Sequence, residues 1–434
     1  MSRPPAAAGA ALPMLAGLLR SKRFAPLFWC QFFSVFNDNF VRNMLAMLIL
    51  FRLGESEAGA LITLAVGIFM APSLLLSGLG GEMADAQDKG RLARALKFSE
   101  ILVQVVAAIG LWQASLPLLY AALFGLGVIG ALFGPLKYGI LPDLLKSEEL
   151  IAGNALVEAA TFVAILLGLI AGGLSAMGRA PEGTVLQLML IALACWAASL
   201  FIPPTTRAAP NLRLNPNIFA STRALLLEIK RDRQLWSRSL AVSWFWMTGA
   251  VALSLTPVII RNKTGGGIAV ETAISALFAL GIGIGSLAAA VIAKGRILLR
   301  PVPLAGIGMA AFLIDLGVST WSLPTARAEV ALGAFFSSAI GIRIAFDVVG
   351  LACAGGLFVV PLFTAIQADA AKEWRARVIG GVNILNSIFI VLGVIVTATL
   401  QSKSVGLTEP VLLAALGVLT LGASYYVRRF VSRN

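Results

Sequence analysis

The sequence predicts an all-α membrane protein, with about twelve transmembrane helices arranged as two six-helix bundles. Three observations carry this. Of 434 residues, 59% are hydrophobic and only 13% charged, against about 25% charged in an ordinary soluble domain, and the mean hydropathy is +0.90. The apolar residues are gathered into runs of membrane-spanning length. The charges lie mainly in the gaps between those runs, 25 of the 34 Lys and Arg on one side of the predicted membrane and 7 on the other. A chain so composed cannot cover its own surface with polar groups, so lipid covers it. The formal charge of +13 loses its suggestion of nucleic acid once the charges are located, and no nucleic-acid partner is expected.

A helix needs about 20 apolar residues to cross the hydrocarbon core. The runs give spans at 24–51, 58–83, 95–112, 118–141, 150–177 and 185–202, then, after a long gap, at 235–260, 272–293, 302–321, 348–366, 378–400 and 411–427. The first run is too long for a signal-peptide core, and 1–23 reads as a flexible or weakly amphipathic lead. The short run 330–342 reads as an interfacial piece before the tenth helix. The excess of Lys and Arg sets both termini in the cytoplasm; Arg42 and Lys137 fall inside helices. The organisation expected is a lead (1–23), a six-helix bundle (24–202), a basic linker (203–234), a second bundle (235–427) and a tail (428–434). Within the linker, Leu225, Leu226 and Ile229 alternate with Arg223, Lys230, Arg231 and Arg233. That pattern suits a helix lying on an anionic leaflet better than a regulatory site.

Six helices, a basic linker and six more is the plan of the major facilitator fold, with a cavity between halves. A faint repeat agrees: GALFGPL (130–136) returns as GLFVVPL (356–362), each followed by a charged loop and a helix opening on asparagine.

Composition excludes several chemistries. Cys30, Cys195 and Cys353 sit in separate apolar runs, with no metal or disulfide spacing. The absence of histidine removes Ser-His-Asp catalysis, histidine ligation and a histidine proton relay. No cofactor is expected, and a membrane-embedded acyltransferase fails for want of a nucleophile–base pair. The protein is read as a transporter and not an enzyme.

Ionisable residues within spans are costly and mark functional sites by default. The first helix carries FNDNFVRN, in which Asp38 and Arg42, and Asn39 and Asn43, stand four apart on shared faces. The group must face a cavity or the bundle core. It either engages substrate and gating or forms an Asp–Arg lock between helices. Lys137, in GPLKYGILPD, is a compact charge suited to phosphate in a cavity open to the cytoplasm, or a lysine snorkelling to the interface. Its candidate partners are Glu100 and Glu158. Asn154, Asn383 and Asn386 open the fifth and eleventh helices, where they hydrogen-bond between helices or contact substrate. GIGIGS (281–286) has no preceding strand; Gly281 and Gly285 form a close-packing face. The loop GGEMADAQDKGRLAR offers Gly81, Asp85, Lys89, Gly90 and Arg91 as a degenerate major facilitator gating motif, with one residue inserted before the basic pair.

Taken together, CQFFSVFNDNFVRN, GPLKYGILPDLL, EELIAGNALVEAATFVAILLGLIAGG, ALFALGIGIGS, GGLFVVPLFTAIQ and RARVIGGVNILNSIFIVLG resemble the lysophospholipid transporter family. The likeness is strongest to the transporter halves fused to acyl-glycerophosphoethanolamine acyltransferases, and it runs from about Phe24 to near the end of the chain. It implies movement of lysophosphatidylethanolamine, and with it lysophosphatidylglycerol, from the outer to the inner leaflet of a bacterial inner membrane. The partner implied is a cytoplasmic acyltransferase or acyl-carrier-protein synthetase, with the transporter itself a monomer among membrane lipids. By motif it carries functional roles onto Asp38, Lys137, Asn154 and Glu158. One departure stands out: the stand-alone branch has an arginine in the seventh helix, and AVSWFWMTGAVALSLTPVI has none. The acyltransferase signature H-x-x-x-x-D is impossible without histidine. A proton-coupled drug or metabolite exporter of the same fold, with Asp38 or Glu158 titrating, is the alternative; a structural scaffold would not need charges in mid-helix.

Overall fold

Hydrophobic runs become helices because an apolar surround leaves backbone N–H and C=O groups no partner but each other. The computed structural model describes residues 11–53, 55–177, 181–402 and 404–431. Residues 1–10 of the lead, Arg179, Lys403 and the last three of the tail lie outside the described residues. A short α1 (Ala11–Arg20) precedes α2 (Ala25–Leu53), α3 (Glu55–Ala86), α4 (Lys89–Trp112), α5 (Leu116–Gly139), a one-turn α6 (Leu141–Leu144), α7 (Leu150–Met177) and α8 (Pro181–Leu200). The linker holds α9 (Ile218–Arg231). There follow α10 (Arg233–Ile259), α11 (Ile268–Ala293), α12 (Val302–Trp321), a short α13 (Leu332–Ser337), α14 (Ala339–Asp369), α15 (Arg375–Gln401) and α16 (Glu409–Val431). Among the described residues the nearest thing to a strand is one isolated bridge, Gly266 to Val330.

Eleven of these helices are long and apolar enough to cross a membrane. The twelfth expected span, α2, has 29 residues, but the polar run 37–43 lowers its hydropathy below the others. Helix starts follow side-chain capping of the free N–H groups: Asp88 accepts from Gly90 and Arg91, Asp232 from Gln234 and Leu235, and Ser338 from Gly341.

The two halves repeat one packing plan. In the first, α2 packs on α7 and α8, α3 on α5, and α4 on α5 and α8. Six spans later, α10 packs on α15 and α16, α11 on α14, and α12 on α14 and α16. The contacts between halves obey the same pseudo-symmetry, since α7 meets α11 where α3 meets α15. The sequence repeat is carried by this arrangement: Pro135 and Pro361 lie inside α5 and α14. Likewise α7 and α15 each open from a single 3₁₀ turn.

Three boundaries differ from the sequence reading. Helix α4 starts at Lys89 and not near 95, so Lys89, Arg91 and Arg94 are helix residues and not loop residues. The run 330–342 divides in two: α13 is a separate short helix within it, and its end forms the first turn of α14, which begins at Ala339. Arg238, counted with the linker charges, is buried in α10 and ion-paired with Asp369.

The small-residue face of α11 is a contact with α14. A methyl on Gly281 would stand 2.7 Å from the Ala352 Cβ, and one on Gly285 would overlap the Cys353 carbonyl. Forcing volume into such a contact costs about 1–3 kcal/mol. Gly285→Ala is therefore expected to lower the thermal midpoint in detergent by several degrees. Gly249→Ala, on α10, meets nothing within 4 Å and is expected to leave the midpoint unchanged or raise it slightly.

Candidate functional site

Between the halves lies a cavity of about 230 Å³. Its first-half wall is Met70, Ser73 and Ser77 of α3, Gly130, Gly134, Lys137 and Tyr138 of α5, and Asn154, Glu158 and Thr161 of α7. The second half supplies Trp246 of α10, Val359, Val360 and Phe363 of α14, and Asn383, Asn386, Ser387 and Ile390 of α15. Five residues chosen from sequence, Lys137, Asn154, Glu158, Asn383 and Asn386, are thus brought together from three helices. Gly134 makes room: a methyl there would stand 3.0 Å from Asn383 Nδ2.

The polar groups on this wall are incompletely satisfied. Tyr138 donates from its hydroxyl to Glu158 Oε2 at 3.2 Å, while the buried Glu158 Oε1 has no partner. Lys137 and Glu158 interact electrostatically, yet no ion pair or hydrogen bond to the Lys137 ammonium occurs among the described residues. Asn154 donates to Thr364 Oγ1 at 3.2 Å and to Gln367 Oε1, and its own Oδ1 is unpartnered. Asn386 Oδ1 accepts from Ser243 at 2.8 Å. Asn154 and Asn386 therefore bond between helices and line the cavity at once.

The cavity is closed at the end where the linker lies, where the sequence reading of Lys137 had an open mouth. Asp85, at the end of α3, accepts from the backbone N–H groups of Ala376 and Arg377 at 3.1 Å each, and from Arg377 Nε at 3.2 Å. Its carboxylate thus caps α15 from the opposite half. Gly81 permits the approach, since a methyl on it would come within 2.6 Å of the Ala376 carbonyl and the Arg377 Cα. Gln367 donates to the Tyr138 carbonyl at 3.1 Å, and Arg375 Nη1 stands 3.9 Å from Asp143.

Arg91 does not join this closure. Its side chain is 78% exposed and reaches only Asp88, at 3.8 Å. Lys89, two residues earlier and so on the opposite face of α4, is 1% exposed and turns inward to bond Asp143 at 2.9 Å.

The first-helix group does not form the Asp–Arg lock. Arg42 donates to Asn39 Oδ1 at 2.5 Å and lies over the Phe69 ring; it forms no ion pair with Asp38. Asn39 returns a bond to the Val35 carbonyl, and Asn43 donates to the Leu169 carbonyl of α7 at 2.6 Å. Asp38 and Arg42 are not among the residues lining this cavity, and both are partly exposed. The Asp38 carboxylate, half-buried, has no hydrogen-bond partner among the described residues. It lies in electrostatic reach of Arg42, Lys97, Lys137 and Glu100.

One ion pair of the first half is wholly buried: Lys97 and Glu100, 0% and 1% exposed and 2.8 Å apart. Lys97 also donates to Ser34 at 2.6 Å and sits 3.9 Å from the Phe133 ring centre; Asn37 donates to Glu100. Glu100 is therefore the partner of Lys97, and not of Lys137. The missed residues Tyr138, Gln367, Asp143 and Arg377 lie near helix ends, where a polar residue is unremarkable. Only Lys97 gave a signal, standing three before Glu100.

A multi-pass membrane protein whose pseudo-symmetric halves enclose a polar cavity, shut at one end, is a transporter in architecture. Residues 27–394 match the Major Facilitator Superfamily, and the chain belongs to that family. It is 29% identical over 353 residues to the lysophospholipid transporter LplT of Serratia proteamaculans, covering 80% of this chain and 81% of that one. Its fold is similar to the crystal structure of the human organic anion transporter MFSD10 (TETRAN), with a TM-score of 0.70, 15% identity, and coverage of 94% of this chain and 99% of that one. A bacterial homologue of the iron transporter ferroportin, in an outward-facing state, has a TM-score of 0.69 at 13% identity, with coverage of 94% and 99%.

Removing one partner of a buried ion pair strands the other charge and costs about 3–5 kcal/mol, while removing both is often near neutral. Lys97→Met is expected to destabilise the protein strongly in a detergent melt, and Lys97→Met/Glu100→Leu to recover most of the loss. A double variant as unstable as the single would show that the pair itself holds α4 to α2.

Proposed function

We propose that the chain is a lysophospholipid transporter, moving lysophosphatidylethanolamine, and with it lysophosphatidylglycerol, from the outer to the inner leaflet of a bacterial inner membrane. The observation that carries the reading is the pair of incompletely satisfied, opposite charges on one cavity wall, Lys137 and Glu158, facing the apolar side chains of α10 and α14. A phosphate needs a cation, an ethanolamine amine needs a carboxylate, and an acyl chain needs an apolar wall. The 29% identity to a protein named a lysophospholipid transporter supports the same substrate class.

On this reading Lys137 takes the phosphate and Glu158, with Asn154, takes the amine. Asn383 and Asn386 complete the polar rim, and Asp38, Asn39 and Arg42 set the electrostatic field behind Lys137. Asp85 and Gly81 close the cytoplasmic end. The protein works as a monomer, with both termini cytoplasmic, and a cytoplasmic acyltransferase or acyl-carrier-protein synthetase restores the second acyl chain. A proton-coupled exporter is the second reading, favoured by the orphaned Glu158 Oε1.

A charge-assisted hydrogen bond is worth about 1.5–3 kcal/mol, so Lys137→Gln is expected to slow uptake of both lysolipids by roughly tenfold or more. Uptake of labelled lysolipids into membrane vesicles, with expression controls, checks this. Wild-type rates on both would remove Lys137 from the site, and a loss confined to the ethanolamine lipid would assign it to the amine end instead. Uptake that collapses with the proton gradient, or no uptake by the wild type, would favour the exporter.

Orientation has its own test, drawn from the 25-to-7 distribution of Lys and Arg. Reporter fusions after Ala209 are expected to be cytoplasmic and fusions after Asn262 periplasmic; a periplasmic linker would invert the proposed direction of transport.

A further inference from the structure

The linker helix α9 does not lie free beneath the bundle. Its inner stripe, Thr222, Leu225 and Ile229, seats on the junction between α3 of the first half and α15 of the second. A methyl on Gly78 would stand 3.2 Å from Thr222 Oγ1, 3.6 Å from Ile384 and 3.8 Å from Leu225, and one on Gly381 would overlap Ile229. Glu82 of α3 anchors the assembly, accepting from the Ser221 hydroxyl and from the Asn215 N–H at 3.3 Å. Gly78 lies on α3 and Ile384 on α15, so α9 covers the seam where the two halves meet.

The opposite stripe is unpartnered and has mixed chemistry. Phe219, Arg223, Leu227, Lys230 and Arg231 recur at helical spacing and are all exposed. Arg231 meets only Glu228 of its own helix, at 2.9 Å. Large apolar side chains alternating with cations suit neither plain water nor the acyl region; they suit the headgroup boundary of an anionic leaflet. Each basic residue near such a surface contributes roughly fivefold in binding.

We propose that the outer stripe of α9 docks on anionic phospholipid and that, so docked, α9 clamps the α3–α15 seam shut. In this closed arrangement α9 touches both halves, so on this proposal whatever holds α9 in place also favours closure.

The test uses the full chain with Cys30, Cys195 and Cys353 replaced by alanine, in nanodiscs of phosphatidylcholine alone or mixed with phosphatidylglycerol. A polarity-sensitive maleimide on Leu227→Cys is expected to shift to the blue with phosphatidylglycerol, and the shift to vanish in Arg223→Gln/Lys230→Gln/Arg231→Gln. In a second protein, Ala376→Cys, which lies buried under Asp85, reports opening. Phosphatidylglycerol is expected to slow its alkylation severalfold, and the triple glutamine variant to restore the rate. Water-like emission in both lipid mixtures would leave the stripe to a soluble acidic partner and overturn the proposal. A blue shift that survives the triple variant would overturn the anionic lipid as occupant. A blue shift with unchanged alkylation would overturn the clamp. Neither measurement involves a transported substrate, so the result stands apart from the identity of the cargo.

Discussion

At the closed end of the cavity one carboxylate joins the two halves most directly. Asp85 sits at the end of an N-half helix and accepts the first free N–H groups of a C-half helix, at the positive end of the α15 dipole. A carrier must hold one end shut and yet release it, so the seal cannot resemble a domain core. A cap of this kind contributes on the order of 1 kcal/mol, far less than a buried apolar interface. The neighbouring bonds share the property. Gln367 to the Tyr138 carbonyl and Asn154 to Gln367 are single neutral hydrogen bonds that water can replace on opening. Gly81 and Gly139 bring the backbones close without interlocking side chains; a methyl on Gly139 would stand 3.1 Å from the Ala376 Cβ.

The membrane also sorts the charged residues. An ion inside the bundle is tolerated when it is paired and bonded on all sides, as Lys97 and Glu100 are with Ser34 and Asn37. Such a group is structural, because nothing on it remains for a ligand. Lys137 and Glu158 differ: each keeps bonding capacity unspent at the cavity surface. The cost of leaving it so is what makes these two the candidates for ligand contact. Asp38 falls between the two classes, unbonded but surrounded by four charges.

Much of this was legible in the sequence, for reasons tied to particular residues. Helix number and the two-bundle division follow from run length and charge placement, which lipid enforces directly. Lys137, Glu158, Asn154, Asn383 and Asn386 stood out because a polar residue in an apolar run has few reasons to be there. What failed was pairing. Spacing of four put Asp38 and Arg42 on one face, but side-chain direction let Arg42 reach Asn39, three residues away, instead. Lys97 did not stand out because charges near a predicted helix start resemble loop charges until the fold shows α4 beginning at Lys89. Lys89 faces inward and Arg91 outward because residues two apart on a helix stand about 200° apart, and the motif alone does not say which of them faces the core. The partners of Asp85 on α15 lie almost three hundred residues away in sequence, and no local pattern predicts such a contact.

The repeat gives the two halves one topology, but the cavity gives them different chemistry. Every charged group on its wall comes from the first half, while the second half contributes Trp246, Val359, Val360, Phe363 and Ile390 together with neutral polar side chains. A symmetric solute would gain nothing from this division. An amphiphile gains twice, because its head meets charges of both signs while its tail lies against side chains that make no hydrogen-bonding demand. When the halves rock about the site, head and tail are held by different rigid bodies, so a molecule anchored in one half moves relative to the other. On the proposed reading, that relative motion is what turns a lipid from one leaflet toward the other, and the asymmetry of the wall is what lets a pseudo-symmetric fold do it.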